Sequence, residues 1–384
     1  MKPRAVLLLL ACLPAAPLAG QSTAAVDSIV ASGIRRGIYP GAVLLVGSRS
    51  GVRYQQGYGH LTWAASSPVP SPDSTRWDLA SLTKVVGTLP AVATLIAAGK
   101  VDPDAPVARY LPRFQGARKD QVTVRMLLAH TSGLPAYVEF FRRTATRDSA
   151  IALLYRTPLR HAPGAVVEYS DLNFLLLGLL VEVVSGEPLA TYVRRAVLVP
   201  AGLTHTGYGV AKAVERETAP TGQWRGHPVC CTVNDQNAAR FGGAAGHAGL
   251  FSTGQDLARY LRLWLNGGAL DGVRLFPDSL ARAILAPATP EASRLLGWER
   301  PPHRAGDPTP CGRPCDSAYG GSLTDAAFGH TGWTGTLLWA DPTRDLFVVF
   351  LTNRAYAPRI GGSIRALRGV RGALADAVVR TWAP

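Results

Sequence analysis

The sequence predicts an α+β fold in which one antiparallel sheet, built from both ends of the chain and flanked by helices, carries an inserted and mostly helical lobe. Three observations lead there. Strand-turn-strand patterns occur near each end of the 384 residues, and neither hairpin is stable alone, so joining them in one sheet is the economical arrangement. Amphipathic helical patterns adjoin both hairpins and can cover the sheet, and a long segment with helical spacing runs between them. With 47% hydrophobic residues, a chain of this length has enough apolar surface for a large core.

In chain order, residues 1–20, MKPRAVLLLLACLPAAPLAG, place Lys2 and Arg4 before a short apolar run that ends in small residues, the pattern of a secretory signal. A secreted or periplasmic protein is therefore expected, with lipid attachment at Cys12 as the alternative reading of the leader. The folded unit is expected over 22–384, its sheet lobe at about 22–80 and 236–384 and its helical lobe at about 85–235. VDSIVASGIRRG has helical spacing, and GAVLLVGSRSGVRYQQGYG reads as two strands around Ser50-Gly51. Pro90 is expected to kink the helix after Lys84. FLLLGLLVEVV, interrupted by Glu182, is too short to span a bilayer and reads as a buried helix. TGTLLWADPTRDLFVVFLTN forms the second hairpin, turning between Asp341 and Asp345, and SIRALRGVRGALADAVVRTW the closing amphipathic helix.

The formal charge is +14, and only five of the forty basic residues are Lys. They are scattered, with no basic run interleaved with aromatics, which argues against a nucleic-acid partner. A positive surface suits an anionic neighbour such as cell-wall polymer or lipid headgroups, and general Arg enrichment accounts for it equally well. Beyond the leader stand Cys230, Cys231, Cys311 and Cys315. In an oxidising compartment they are expected to form disulfides, and a bridge from the 230 region to the 311 region would close a loop of about 80 residues, contributing roughly 4 to 5 kcal/mol. Zinc is the weaker alternative, since a vicinal pair plus C-x3-C lacks the usual spacing.

The candidate chemistry begins in DLASLTKVVGTLPA. At i and i+3 of a helix Ser81 and Lys84 share one face, and a serine at a helix N-terminus has a free backbone N–H beside its own oxygen. A hydroxyl is a poor nucleophile until a base takes its proton, and a lysine with a perturbed pKa can do so. Two further segments join it: Tyr169 and Asp171 in VVEYSDLNF, and His330, Thr331 and Gly332 in FGHTGWTGTLLWADP, where they are expected to begin the first strand of the second hairpin.

The trio S-x-x-K, Y-x-N/D and K/H-T-G, in this order, resembles the penicillin-recognising serine hydrolases: class C β-lactamases, DD-peptidases and related esterases. GKVDPDAPVARYLPRF, VRMLLAHTSGLP and GGAAGHAGLFSTGQDLARY extend the likeness over nearly the whole mature chain. The resemblance implies the β-lactamase/transpeptidase-like fold, Ser81 as the acylated nucleophile, and Lys84 and Tyr169 sharing acid and base work. A phenol beside a cation can lose its proton well below its free pKa, which would make Tyr169 a base. It also implies an oxyanion site made by the Ser81 and Trp333 amides, with Gly332 leaving room for substrate. His247, in a glycine-rich loop, would approach the cleft. No cofactor is implied, and no metal is expected, because the histidines lack H-x-x-x-H spacing and no acidic cluster completes a ligand set. His130 is expected to end a helix and bond locally with Thr131 and Ser132.

Class C β-lactamases usually carry Asn where this chain has Asp171 and Lys where it has His330. An imidazole is charged only conditionally, so carboxylate-dependent binding is expected to weaken above pH 7. Asp171 can either stabilise His330 as a cation or pair with Lys84. The expected function is an exported serine hydrolase acting through an acyl-enzyme on D-alanyl peptides of the cell wall or on small esters and amides. A class C-like β-lactamase and a non-catalytic binding protein of the same fold are the alternatives.

Overall fold

The computed structural model describes residues 23–289, 292–301 and 318–383, so the leader, Cys12, Cys311 and Cys315 lie outside the described residues. The strands that matter to the site are β1 (Gly41–Ser48), β2 (Gly51–Gly59), β3 (Trp77–Asp78), β4 (Leu250–Ser252), β5 (Phe328–Thr331), β6 (Leu337–Asp341) and β7 (Leu346–Thr352). The main sheet is antiparallel with spatial order β5-β6-β7-β1-β2, so the two chain ends meet at the β7–β1 seam, where Leu44 faces Phe350. The sheet built from both ends is as the sequence predicts.

Its central strands read as continuous apolar runs because both faces are covered. Along β1, Val43 and Leu45 enter the larger core, whereas Ala42, Leu44 and Val46 enter a second one; on β7, Phe347, Val349 and Leu351 alternate with Leu346, Val348 and Phe350 in the same way. Helices α1 (Ala24–Arg35), α2 (Lys84–Ala97), α3 (Asp171–Ser185), α4 (Gly254–Leu265) and α5 (Ser363–Trp382) complete the layers. The second core is closed by Val26 and Val30 of α1 and by Leu367, Leu374 and Val378 of α5. Each such side chain contributes about 1.5 to 3 kcal/mol by leaving water. On the other face α4 packs against β1 and β7, and the larger core continues into α2 and α3.

In α3, Leu172 through Val181 are buried, as expected of a core helix. Among the described residues no single helix is long and apolar enough to cross a membrane. The distortion expected at Pro90 takes another form: Lys84–Thr88 is a π-turn, and Pro90 sits in the first turn of the α-helical part, where its missing N–H costs least. Two further expectations are corrected. His330-Thr331-Gly332 does not begin the second hairpin; His330 and Thr331 end a separate strand, β5, and residues 332–336 turn back into β6, the Gly332 amide bonding the Thr336 carbonyl at 2.8 Å. Within the mostly helical lobe, the segment 207–229 adds short strands, including Gly207–Tyr208 paired to β4. The sulfurs of Cys230 and Cys231 are joined to one another, so neither serves a bridge toward residue 311; neighbours in sequence meet with no long loop to close.

Candidate active site

The turn that carries Ser81 is set by strand pairing and by one carboxylate. β3 pairs with β4, and the Leu79 amide continues the ladder to the Leu250 carbonyl at 2.9 Å. The chain then reverses at Ala80, whose φ of 47° is left-handed, a conformation costing a non-glycine residue roughly 1 to 2 kcal/mol. Asp78 Oδ1 accepts the Ala80 amide at 2.8 Å and offsets that strain. On the other side the 332–336 turn is stitched to the same backbone: Thr334 Oγ1 donates to the Asp78 carbonyl at 2.6 Å and Thr336 Oγ1 to that of Leu79 at 3.1 Å. A Cβ on Gly332 would collide with Thr336 Oγ1 and the Leu79 carbonyl, so glycine is required there by the chain's own close approach, in addition to any substrate. Among the described residues, neither the Ser81 nor the Trp333 amide donates a hydrogen bond within the protein. The Trp333 indole is 60% exposed at the surface, lying over the Arg354 guanidinium.

Lys84 stands one turn after Ser81 and is fully buried. Its ammonium donates to Ser81 Oγ at 3.0 Å and to the His247 carbonyl at 3.2 Å, and it pairs with Asp171 Oδ1 at 2.7 Å. Burial pushes its pKa down, but the Asp171 charge, Tyr169 and their hydrogen bonds outweigh burial, and the net shift is upward. Asp171, at the start of α3, therefore pairs with Lys84 and not with His330, which settles the choice the sequence leaves open.

Tyr169 is partly buried, its ring centroid 4.9 Å from Lys84 Nζ, and its hydroxyl lies near Lys84 and Ser81. Desolvation raises its pKa; the Lys84 charge opposes that, the Asp171 charge adds to it, and the net shift is upward. The expected anionic phenol is thus corrected: the resting state is a neutral phenol beside an ammonium. His130 props the ring from behind, centroids 4.7 Å apart, and its Nδ1 accepts the Ser170 amide at 3.0 Å. Its partners are Ser170 and Asn173 across 40 residues or more, in place of the local bonds expected with Thr131 and Ser132.

His330 is 1% exposed beside Tyr169. Burial lowers its pKa to about 4, Glu299 opposing and Arg294 and Lys84 reinforcing, so at neutral pH it is uncharged and the expected conditional cation is corrected. A permanent cation lies nearby instead. The Arg294 guanidinium sits 4.8 Å from the Tyr169 ring centroid and pairs with Glu299 at 2.9 Å, while its buried Nε and Nη1 have no hydrogen-bond partner among the described residues.

The beta-lactamase family model matches residues 26–370. The chain belongs to the beta-lactamase family. It is 30% identical over 354 residues to a putative D-alanyl-D-alanine carboxypeptidase of Escherichia coli (strain K12), covering 83% of this chain and 80% of that one. It is 31% identical over 369 residues to an N-acetylmuramyl-L-alanine amidase of Bacillus subtilis (strain 168), covering 87% and 81%. In structure it resembles a class C beta lactamase from Rhodobacter sphaeroides with a TM-score of 0.71 at 20% identity, over 92% of this chain and 99% of that one. The family is one of serine hydrolases, and the fold expected from the motif trio is the one observed.

Sequence reasoning missed several members of this beta-lactamase-family cleft. Asp235 caps the short helix Gln236–Arg240 and holds the His247 Nε2 at 3.0 Å. Its burial opposes ionisation, but His247, the Ala238 amide and Lys84 outweigh it and bring its pKa to about 2. Asp171, Asp235 and His247 present ligand-capable atoms within 4.8 Å of one another, an acidic cluster that no spacing in the sequence displays and that corrects the expectation of none. The cation it faces is the Lys84 ammonium. His247 does approach the cleft as expected, and it reaches Lys84 through its carbonyl. The sequence signals for Asp235 and Arg294 were an N-cap before a helical run and an Arg in a Pro-rich stretch.

Proposed function

We propose that this chain is a D-alanyl peptidase-like serine hydrolase that acylates at Ser81 and acts on cell-wall peptides ending in a free carboxylate. The observation that carries the reading is the Lys84 ammonium held at once against Ser81 Oγ and Asp171 with Tyr169 alongside. Because Lys84 donates to Ser81 Oγ, the serine's own proton is directed at the Tyr169 oxygen. As Oγ attacks the substrate carbonyl, Tyr169 takes that proton and passes its own to the leaving nitrogen, a relay in which its net charge does not change; such transfers contribute about 10²- to 10⁴-fold. The developing oxyanion is met by the free amides of Ser81 and Trp333, and the ammonium stabilises the alkoxide. Water then enters where the amine left and returns a proton through Tyr169 to Ser81.

The N–H groups of Arg294 that have no partner among the described residues supply what a neutral His330 does not, a fixed positive charge for a substrate carboxylate. The carboxypeptidase name of a 30%-identical relative supports the same substrate class. A class C-like β-lactamase shares every acylation step and differs in how fast water clears the acyl group. Passage through a membrane by way of residues 1–20 would bring the enzyme to such substrates.

The test is intact mass of the purified protein after benzylpenicillin, followed in time and repeated with Ser81→Ala, beside release of D-alanine from a peptide ending in D-alanyl-D-alanine. A lasting adduct on Ser81 and D-alanine release are expected. A fleeting adduct with drug hydrolysis would select the β-lactamase, and no adduct with no release would leave the non-catalytic binder.

A further inference from the structure

Asp78 takes no part in the proton transfers above, yet three walls of the cleft meet on it. One carboxylate oxygen accepts the amide of Ala80, the left-handed residue before Ser81, at 2.8 Å. The other accepts the amide of Asn234 at 2.7 Å, and Asn234 adjoins Asp235, which holds His247, whose carbonyl holds Lys84. The Asp78 carbonyl accepts Thr334 Oγ1 from the turn that carries Trp333. The side chain is 1% exposed, so no water replaces either amide.

We propose that Asp78 is a positioning residue, an ionised latch that sets the Ser81 turn and locks it to the wall bearing Asn234 and His247. The proposal rests on Ser81 being the nucleophile. Only a carboxylate offers acceptors to both amides; a protonated acid or an amide turns one oxygen position into a donor facing an N–H, and one tie is lost. Burial brings its pKa up to about 6, the Ala80 and Asn234 amides opposing and the neighbouring Asp235 charge adding to the rise. Among the described residues the other elements against it bring no further charge: β4 is Leu250, Phe251 and Ser252, and the 332–336 turn contributes the hydroxyls of Thr334 and Thr336. The electrostatic influence of Lys84 falls on Asp235. The carboxylate is thus held in a place that disfavours its charge, which points to the geometry it imposes.

The experiment compares the rate of Ser81 labelling by a fluorophosphonate probe in the full chain and in Asp78→Asn, from pH 5 to 8, with thermal unfolding of both at pH 7. Expected are a wild-type rate that falls on acidification through an apparent pKa near 6, a rate at least tenfold lower in Asp78→Asn with that limb gone, and half-saturating probe little changed. The melting temperature should move only a few degrees, because losing the buried charge offsets losing one acceptor. A wild-type rate flat from pH 5 to 8, or a variant that keeps both rate and limb, overturns the latch. So does a variant whose activity loss merely follows a large drop in melting temperature, which would make Asp78 structural. If the wild type itself does not label while remaining folded, the Ser81 reading has failed, and that result is distinct from an unchanged variant.

Discussion

Lys84 and His330 both neighbour the Tyr169 ring, both out of reach of solvent, and they end in opposite charge states. Burial pushes both downward. For Lys84 a carboxylate stands 2.7 Å away and the net shift is upward, whereas His330 falls to about 4 although Glu299 bears on it. The difference is in what else each carboxylate serves. Asp171 gives its charge to Lys84, but Glu299 is paired with Arg294 at 2.9 Å and accepts Tyr319 at 2.5 Å, and the positive charges of Arg294 and Lys84 act against an imidazolium. At an effective dielectric of about 20, one unit charge near 4 Å is worth about 4 kcal/mol, enough to cancel desolvation or, when shared, to fail to. Burial therefore sets the size of the penalty, and the nearest uncommitted charge sets the sign.

Breaking the first half of that contrast should have the largest effect. Lys84→Met removes the ammonium from Ser81 and leaves Asp171 facing it unpaired, and acylation by benzylpenicillin, followed by mass, should slow by on the order of 10³-fold or more. Stability to urea should fall by about 3 kcal/mol, the cost of removing one partner of a buried pair. Retained acylation would remove Lys84 from the chemistry.

The second half is next. A histidine with a folded pKa of about 4 against about 6.5 unfolded is neutral when folded, so its contribution is fully present above pH 6.5 and is lost as pH falls from 6.5 toward 4. The 2.5-unit gap corresponds to about 3 kcal/mol. In urea melts at pH 4 to 7, His330→Gln should show a shallower acid decline than the wild type by about that amount, and carboxylate-substrate affinity should stay flat from pH 6 to 8. Parallel declines, or affinity lost above pH 7, would return His330 to the role of a cation.

These contrasts also mark what the sequence could convey. The β1 and β7 runs and the terminal helices were legible because side-chain period follows directly from strand and helix geometry. Ser81, Lys84, Tyr169 and Asp171 were legible as short motifs, and α3 as an apolar run, but β5 was hidden in FGHTG, where glycines blur the alternation. The charge states were not legible at all, since the sign on His330 depends on Glu299 and Arg294, and Glu299 is brought to it by a bridge to Gly329 of β5. Asp78 looked like an ordinary residue before a helix, because its partner Asn234 lies 156 positions away.

A smaller effect should separate charge from shape at Arg294. Arg294→Lys keeps one positive charge but loses the planar fork, and a peptide ending in D-alanyl-D-alanine should show a KM raised by about tenfold, consistent with roughly 1.5 kcal/mol for a charged hydrogen bond. Its C-terminal amide should be unaffected. Equal losses on both peptides would mean that Arg294 does not meet the carboxylate.

The smallest change in rate at neutral pH, and the sharpest test of the contrast, is expected from Asp171→Asn. An asparagine oxygen can still accept from the Lys84 ammonium, so Ser81 keeps its donor and the turnover of a chromogenic ester at pH 7 should fall by less than about tenfold. What disappears is the one uncommitted negative charge, the largest influence holding the lysine up against its burial. With the largest opposing influence gone, desolvation outweighs what Tyr169 still contributes, and the Lys84 pKa should drop below the usual lysine range. A lysine titrating between pH 7 and 10 would appear in the pH–rate profile of Asp171→Asn and be absent from that of the wild type over the same range. If the two profiles superimpose, the Asp171 charge is not what keeps Lys84 ionised, and the remaining candidates are Tyr169 and the His247 carbonyl.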